Sequence, residues 1–341
     1  MSYDRLRSSL ADGLECRDVV TLPDGSIDRY YTVTDARGDP VATREAFVDL
    51  LAGGEVRSIR LVPEDVRAGG EAVNTATQIH ALDQVPRLYG HLDDPELGPF
   101  PFPAVSMGSP ATVHVLTFDR EGIMLSVESS DIRSWTLVDL FAATTVDPDD
   151  WVDDEVVVIQ NWVGFPGMTD ALRDLADLAL GEATVVFDPG DVTGTAADDV
   201  EALCDALATV GDGATVIVTA SSDEVARLLD SLGVDGDDTL PEARLREALG
   251  IKGVVRHDEA RAVAATETVT TVENLDSERV ARRTGAGDRF DGGLAVGLAG
   301  DLPWAQTLAL GNACATYYVE NDRTATTADV LELLGSRTAD G

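Results

Sequence analysis

The sequence predicts an α/β protein: a parallel sheet with helices on both faces, plus a small β-rich lid. Three observations carry this expectation. Short, continuously apolar runs recur along the chain, as in residues 155–160 (EVVVIQ), 184–188 (TVVFD) and 215–219 (TVIVT). Amphipathic helical patterns separate them. Two other segments break the rhythm with β-branched and aromatic residues. Continuous apolar strands are buried on both faces, which a parallel sheet between helices achieves.

In chain order, residues 18–22 form the first strand and enter a turn at Pro23-Asp24-Gly25. Residues 28–63 and 104–129 are the β-rich insertions. YYTVT at 30–34 and TVHVLTFD at 112–119 are their strands, and Arg120-Glu121-Gly122 turns a hairpin. Residues 95–103 are a Pro-rich connection into the lid, and the acidic stretch 147–155 is solvated surface. After the strand at 155–160, residues 168–179 place Leu172, Leu175, Ala176 and Ala179 on one helical face. Strands at 184–188, 215–219 and 253–256 then alternate with helices at 200–207 and 224–232. The division expected is a main domain of residues 1–28, 64–103 and 130–341, with a lid of residues 29–63 and 104–129. The tail at 339–341 is expected to be disordered.

With 341 residues, 44% of them hydrophobic, the chain has enough apolar material for a large core. No run reaches the roughly 18 apolar residues of a membrane helix, and the charged N-terminus lacks a secretory apolar region, so a cytoplasmic protein is expected. Asp and Glu number 62 against 25 Lys and Arg, giving a net charge of −37, and Lys252 is the one lysine. The acid is dispersed along a patterned chain, which points to adaptation to high salt. Nucleic acid is excluded as a partner, because its binding needs clustered basic residues. Cys16, Cys204 and Cys314 are far apart and the four histidines are scattered, so no zinc spacing exists.

The sharpest chemical signal is Thr284-Gly285-Ala286-Gly287-Asp288. The glycines permit a tight turn, and a helix follows with Phe290, Leu294 and Leu298 on one face and Gly293 and Gly297 for close packing. Free N–H groups and the positive end of the helix dipole make an anion site there. A carboxylate beside that anion is what phosphoryl transfer wants: amides hold the phosphate while Asp288 takes the proton of the attacking hydroxyl. A helix start capped by an aspartate explains the same residues without chemistry. The second signal is Gly69-Gly70-Glu71-Ala72-Val73-Asn74, where paired glycines open the backbone to a polyhydroxyl ligand and Asn74 offers donor and acceptor, or where a loop simply meets a helix. The third is Asp28, near the carboxyl end of the first strand, placed to grip two hydroxyls or to serve only as a turn carboxylate. No Walker loop, GxGxxG or GxSxG is present.

In this order the motifs resemble the ribokinase-like (PfkB) carbohydrate kinases, over roughly residues 18–334. The resemblance implies a lidded α/β kinase that uses Mg²⁺ and a nucleotide, ATP first and ADP or GTP otherwise, to phosphorylate a sugar or a nucleoside. By that likeness Asp288 is the base and Gly285, Ala286 and Gly287 form the anion hole. Asp28, Gly69, Gly70 and Asn74 bind the acceptor. Ser221-Ser222-Asp223-Glu224 stands where the family has Asn-x-x-Glu, so Glu224 would order Mg²⁺ through water, and Asn312 would border the base pocket. Departures are Ser221 itself, Arg282-Arg283 in place of Asp-Thr, and a glycine-free loop at 256–261. The first puts the metal carboxylate's usual neighbour in doubt, the second a monovalent-cation site, the third the nucleotide pocket. Arg283 either supplies charge to phosphate or is a surface arginine. Tyr30, Tyr31 and His114 are lid candidates for specificity, and Tyr30, Val33, Val113 and Val115 hint at a homodimer through the lid. A non-catalytic sugar or nucleotide sensor would share these motifs.

Overall fold

The computed structural model describes residues 2–54, 57–118, 122–144, 155–236 and 239–337. Its thirteen strands run in chain order as β1 (Val19–Leu22), β2 (Ser26–Thr34), β3 (Arg60–Gly69) and β4 (Arg87–Gly90). Then come β5 (Ala104–Ser106), β6 (Ala111–Thr117), β7 (Gly122–Val127), β8 (Val156–Gln160) and β9 (Thr184–Asp188). The last are β10 (Thr215–Ser221), β11 (Gly253–His257), β12 (Arg261–Ala265) and β13 (Val269–Glu273).

Nine strands form the large sheet in the order β13-β12-β11-β10-β9-β8-β1-β4-β5. All its neighbours are parallel from β11 to β5, while β12 and β13 close one edge antiparallel. Alternate residues of each strand face opposite helical layers, as the pleat requires. Val157, Ile159, Val185, Phe187, Val216 and Val218 pack with helices Met168–Ala176, Ala197–Gly211 and Ser222–Ser231. Val156, Val158, Val186 and Ile217 pack on the other side with Ser2–Asp12, Ala286–Ala299, Trp304–Asn321 and Thr327–Arg337. Each side chain so buried contributes roughly 1.5–3 kcal/mol. The expected α/β class is therefore what the chain adopts.

The small sheet has the order β3-β2-β6-β7, with β2 and β6 parallel and the outer pairs antiparallel. Its strands depart from the expected bounds. β2 begins at Ser26, so Asp28 belongs to the small sheet, and β3 carries residues 64–69 into it as well. Residues 104–106 join β4 in the large sheet instead. The reason lies in the two turns. The chain leaves β1 through Pro23-Asp24-Gly25 and pairs at once with β3, and β3 ends only where Gly70, at φ 97, turns it into helix Glu71–Ala81. Arg120 and Glu121 of the hairpin, residues 147–154 of the acidic stretch and the tail at 339–341 lie outside the described residues. No helix among the described residues is long and apolar enough to cross a membrane.

Candidate active site

A cavity of about 450 Å³ opens where the carboxyl ends of β1 and β8 meet the small sheet and the start of helix Ala286–Ala299. Asp24, buried just after β1, ties three elements together. It accepts hydrogen bonds from the Glu71 N–H (2.9 Å), the Ala72 N–H (2.7 Å) and Asn161 Nδ2 (3.0 Å). It thereby caps helix Glu71–Ala81, whose own N-cap is a glycine with no side chain to offer. Gly70 supplies the positive φ this junction needs, and a Cβ there would lie 2.7 Å from the Gly25 Cα. Gly69 packs against Asp28, where a Cβ would fall 2.4 Å from the carboxyl. Gly70 lines the cavity and Gly69 does not, so the glycine pair serves the approach of chain to chain as much as any approach of ligand.

Asp28 lines the cavity, and its Oδ1 accepts a 2.6 Å hydrogen bond from Ser26 Oγ. Burial raises its pKa. Across the cavity, Asn74 Nδ2 donates to Asp288 Oδ2 at 2.7 Å, so Asn74 holds the carboxylate of Asp288. Burial pushes Asp288 up to about 6, against the lowering pull of Arg289 and Asn74. Gly285 caps the helix at φ 86 and lines the cavity with Asp288. Ala286 and Gly287 complete the turn without lining it. The Ala286 N–H is already bonded to the Arg283 carbonyl (3.0 Å), so an anion at this end would meet the amides that follow.

Four other sequence candidates stand apart from the cavity. Ser221 and Glu224 form a capping box at the end of β10: Ser221 Oγ accepts the Glu224 N–H (3.3 Å), and Glu224 Oε2 accepts the Ser221 N–H (2.7 Å). The serine at 221 thus begins a helix. Asn312 is buried in the middle of helix Trp304–Asn321, with Nδ2 donating to the Tyr3 hydroxyl and the Val272 carbonyl, both at 3.3 Å. Arg283, 49% exposed at its side chain, pairs with Glu259. Its side chain thus takes part in a surface pair and does not line the cavity. Of the lid candidates Tyr30 lines the cavity, whereas Tyr31 and His114 pack against each other at 5.7 Å.

Several cavity and floor residues carry no local motif. Below the cavity, Asp291 accepts from Gln160 Nε2 (3.1 Å) and Thr219 Oγ1 (2.9 Å) and interacts with the buried carboxyl of Asp188. Burial raises Asp291 to about 7, and burial next to these acids holds Glu71 and Asp188 well above the carboxylate range. On the opposite wall Arg67 of β3 grips Asp322 with two bonds, 2.9 and 3.0 Å, and Arg282 Nε meets the same carboxylate at 2.7 Å. Arg282 also lies 4.4 Å over the Tyr30 ring. Arg289 and Tyr318 complete that wall. A polar residue closing an apolar strand (Gln160), an aspartate inside an apolar helix (Asp291) and an arginine directly after Asp288 were the available signals.

A lidded cavity at the carboxyl edge of a parallel sheet, with a carboxylate in the first turn of a helix, is the site of a ribokinase-fold kinase. Solved structures share the fold. Adenosine kinase from Sinorhizobium meliloti superposes with a TM-score of 0.65 at 18% identity, covering 95% of this chain and 100% of its own. Fructokinase with bound ATP from Xylella fastidiosa gives 0.65 at 15% identity (94% and 99%). Ribokinase from Thermotoga maritima gives 0.63 at 16% (94% and 98%). The family model of prokaryotic ketohexokinases matches residues 3–336, and the chain belongs to that family. It is 27% identical to a ketohexokinase of Haloferax volcanii, over 93% of this chain and 90% of that protein. The protein is thus a carbohydrate or nucleoside kinase.

Proposed function

We propose that the protein transfers the γ-phosphoryl group of ATP to a hydroxyl of a ketohexose, with Asp288 as general base. The observation that carries this reading is the Asp288 carboxylate. It is buried, fixed by Asn74 and set in the first turn of a helix, facing a cavity whose far side offers Asp28. Asp28 and the Gly70 backbone suit the hydroxyls of a sugar, and Asp288 accepts the proton that the attacking hydroxyl releases. The helix start, from Gly285 through Gly287, suits the phosphates. Membership of the ketohexokinase family and a ketohexokinase relative support the acceptor, and family practice supports ATP.

The residues present fit Mg²⁺. Glu71 Oε2 is buried without a partner, and burial together with the neighbouring charges of Asp291 and Glu224 raises the pKa of both Glu71 and Asp188, a charge that a cation would neutralise. No group of three or more ligating side chains among the described residues is arranged to hold a metal alone. Mg²⁺ keeps much of its water and rests on one or two carboxylates and the substrate phosphates, so Glu71, Asp188 and Glu224 would hold it, directly or through water. When bound, it would neutralise charge on the nucleotide phosphates. The net charge of −37 and the Haloferax relative support a cytoplasm of high salt as the working medium. Exposed Val62, Val66, Met124, Leu125 and Val127 on the small sheet support self-association through the lid.

The test is a coupled turnover assay in molar KCl that crosses ATP, GTP and ADP with fructose, other sugars and nucleosides. Turnover with ATP and a ketohexose is expected. Asp288→Asn should lose roughly 10²–10⁴-fold in kcat while keeping its fold. The wild-type kcat/KM should fall as pH drops through about 6, where Asp288 takes a proton and ceases to act as a base. A near-normal rate in Asp288→Asn would overturn the mechanism. Preference for a nucleoside would move the acceptor.

A further inference from the structure

We infer that Arg289 is a second catalytic residue, whose Nη1, beside the Tyr318 hydroxyl, contacts the phosphoryl group as it passes from nucleotide to acceptor. This rests on the kinase reading above. Arg289 is only 7% exposed, yet it lines the cavity. Its Nε donates to Thr324 Oγ1 at 3.2 Å, and its guanidinium lies 4.5 Å over the Tyr318 ring, so its plane is fixed. Its Nη1 is buried and has no hydrogen-bond partner. The nearest carboxylate oxygen, Asp288 Oδ2, is 3.8 Å away, beyond hydrogen-bond reach.

A buried, unpaired guanidinium nitrogen is costly, so a fold that keeps one is holding it for an absent acceptor. Gly285 shows where that acceptor would sit. From the point where a Cβ would stand, the Tyr318 hydroxyl is 3.3 Å away and both Arg289 Nη1 and Asp288 Oδ2 are 3.6 Å away. A cation, a phenol and the base thus converge on one corner at the start of the helix. Asp288 offsets part of this charge from 3.8 Å, and a neutral sugar hydroxyl would leave the desolvated cation only partly matched. A phosphoryl group in flight carries charge on three equatorial oxygens and would match it.

The step balances without further reactants. The acceptor O–H proton goes to Asp288, and the oxygen's electron pair forms the new O–P bond. The bond from phosphorus to the β–γ bridging oxygen breaks, and its pair leaves on ADP. Arg289 donates hydrogen bonds throughout and is unchanged.

The experiment compares Arg289→Gln, Arg289→Lys and Tyr318→Phe with the wild type. It reads kcat, acceptor KM, the pH profile and the affinities for β,γ-methylene-ATP and ADP. Arg289→Gln should lower kcat about 10²–10³-fold with little change in acceptor KM, and Lys should restore part of it. The affinity gap between the ATP analogue and ADP should shrink. The acid limb should move up, because Arg289 is the main group lowering the Asp288 pKa. The other groups facing Asp288 stay in place: Asp24 after β1, Asp28 on β2, Glu71 and Asn74 on their helix, Asp291 on its own and Tyr318 opposite. An unchanged kcat would overturn the inference, as would a loss confined to acceptor KM, which would assign Arg289 to an anionic acceptor. If Arg289→Gln does not fold, Tyr318→Phe decides by the same readouts. If the wild type turns over no pair, the kinase reading fails by itself, and the affinity gap still tests the phosphate contact.

Discussion

Asp291 puts a carboxyl in a helix whose remaining residues, from Gly292 to Ala299, are all glycine or apolar. Its raised pKa of about 7 means that the folded state binds a proton the unfolded chain releases near pH 4. Such a group stabilises the fold below its ordinary pKa, and that contribution is lost as pH rises through about 7. Asp291→Asn removes the titration while keeping the shape, and the buried Gln160 amide, whose Oε1 has no partner, can flip to accept from the new NH₂. In chelator, Asp291→Asn should melt higher than the wild type at pH 8, with the difference narrowing as pH falls through about 7 and closing only near pH 4. A difference that stays constant with pH, measured by thermal unfolding, would mean that Asp291 does not titrate in this range. The same scale explains what could be read in advance. Asp288 and Gly285 stood out because their chemistry is local, a turn and the helix it starts. Arg289, Asp24 and Tyr318 did not, because their meaning comes only from being brought together. Even the bond between Asn74 and Asp288 spans 214 positions of sequence.

The helices that carry the site are positioned by missing side chains. A Cβ on Gly293 would stand 2.8 Å from the Gly311 Cα, so helices Ala286–Ala299 and Trp304–Asn321 touch backbone to backbone at that point. Gly297 does the same against Thr307. Gly293→Ala should cost about 1–3 kcal/mol of stability by overpacking. It should also lower kcat, because the helix that shifts carries Asp288 and Arg289. Denaturant unfolding and turnover on the same sample would check both, and loss of stability with full kcat would show that the contact only packs. These helices, and the strands at 156–160, 184–188 and 215–221, were legible because apolar runs and 3.6-residue spacing state burial directly. The edges of the small sheet were not. β3 is mostly exposed while β2 is buried or partly buried along its length, and their register depends on partners that no single segment reveals.

Over the whole molecule, an excess of 37 negative charges opposes compaction unless salt screens it. The melting temperature should therefore rise steeply from 0.1 M to 1 M KCl and then level off, and a flat profile would remove the charge argument. The bridge from Arg67 through Asp322 to Arg282 has the opposite dependence. It joins the small sheet to the loop after helix Trp304–Asn321 by partly exposed ion pairs, which salt weakens. The medium that holds the body together thus loosens the clasp across its mouth. Beyond the salt at which melting has stopped rising, the lid should still open more readily, and if release of product limits the cycle, turnover should keep climbing with KCl after stability no longer does.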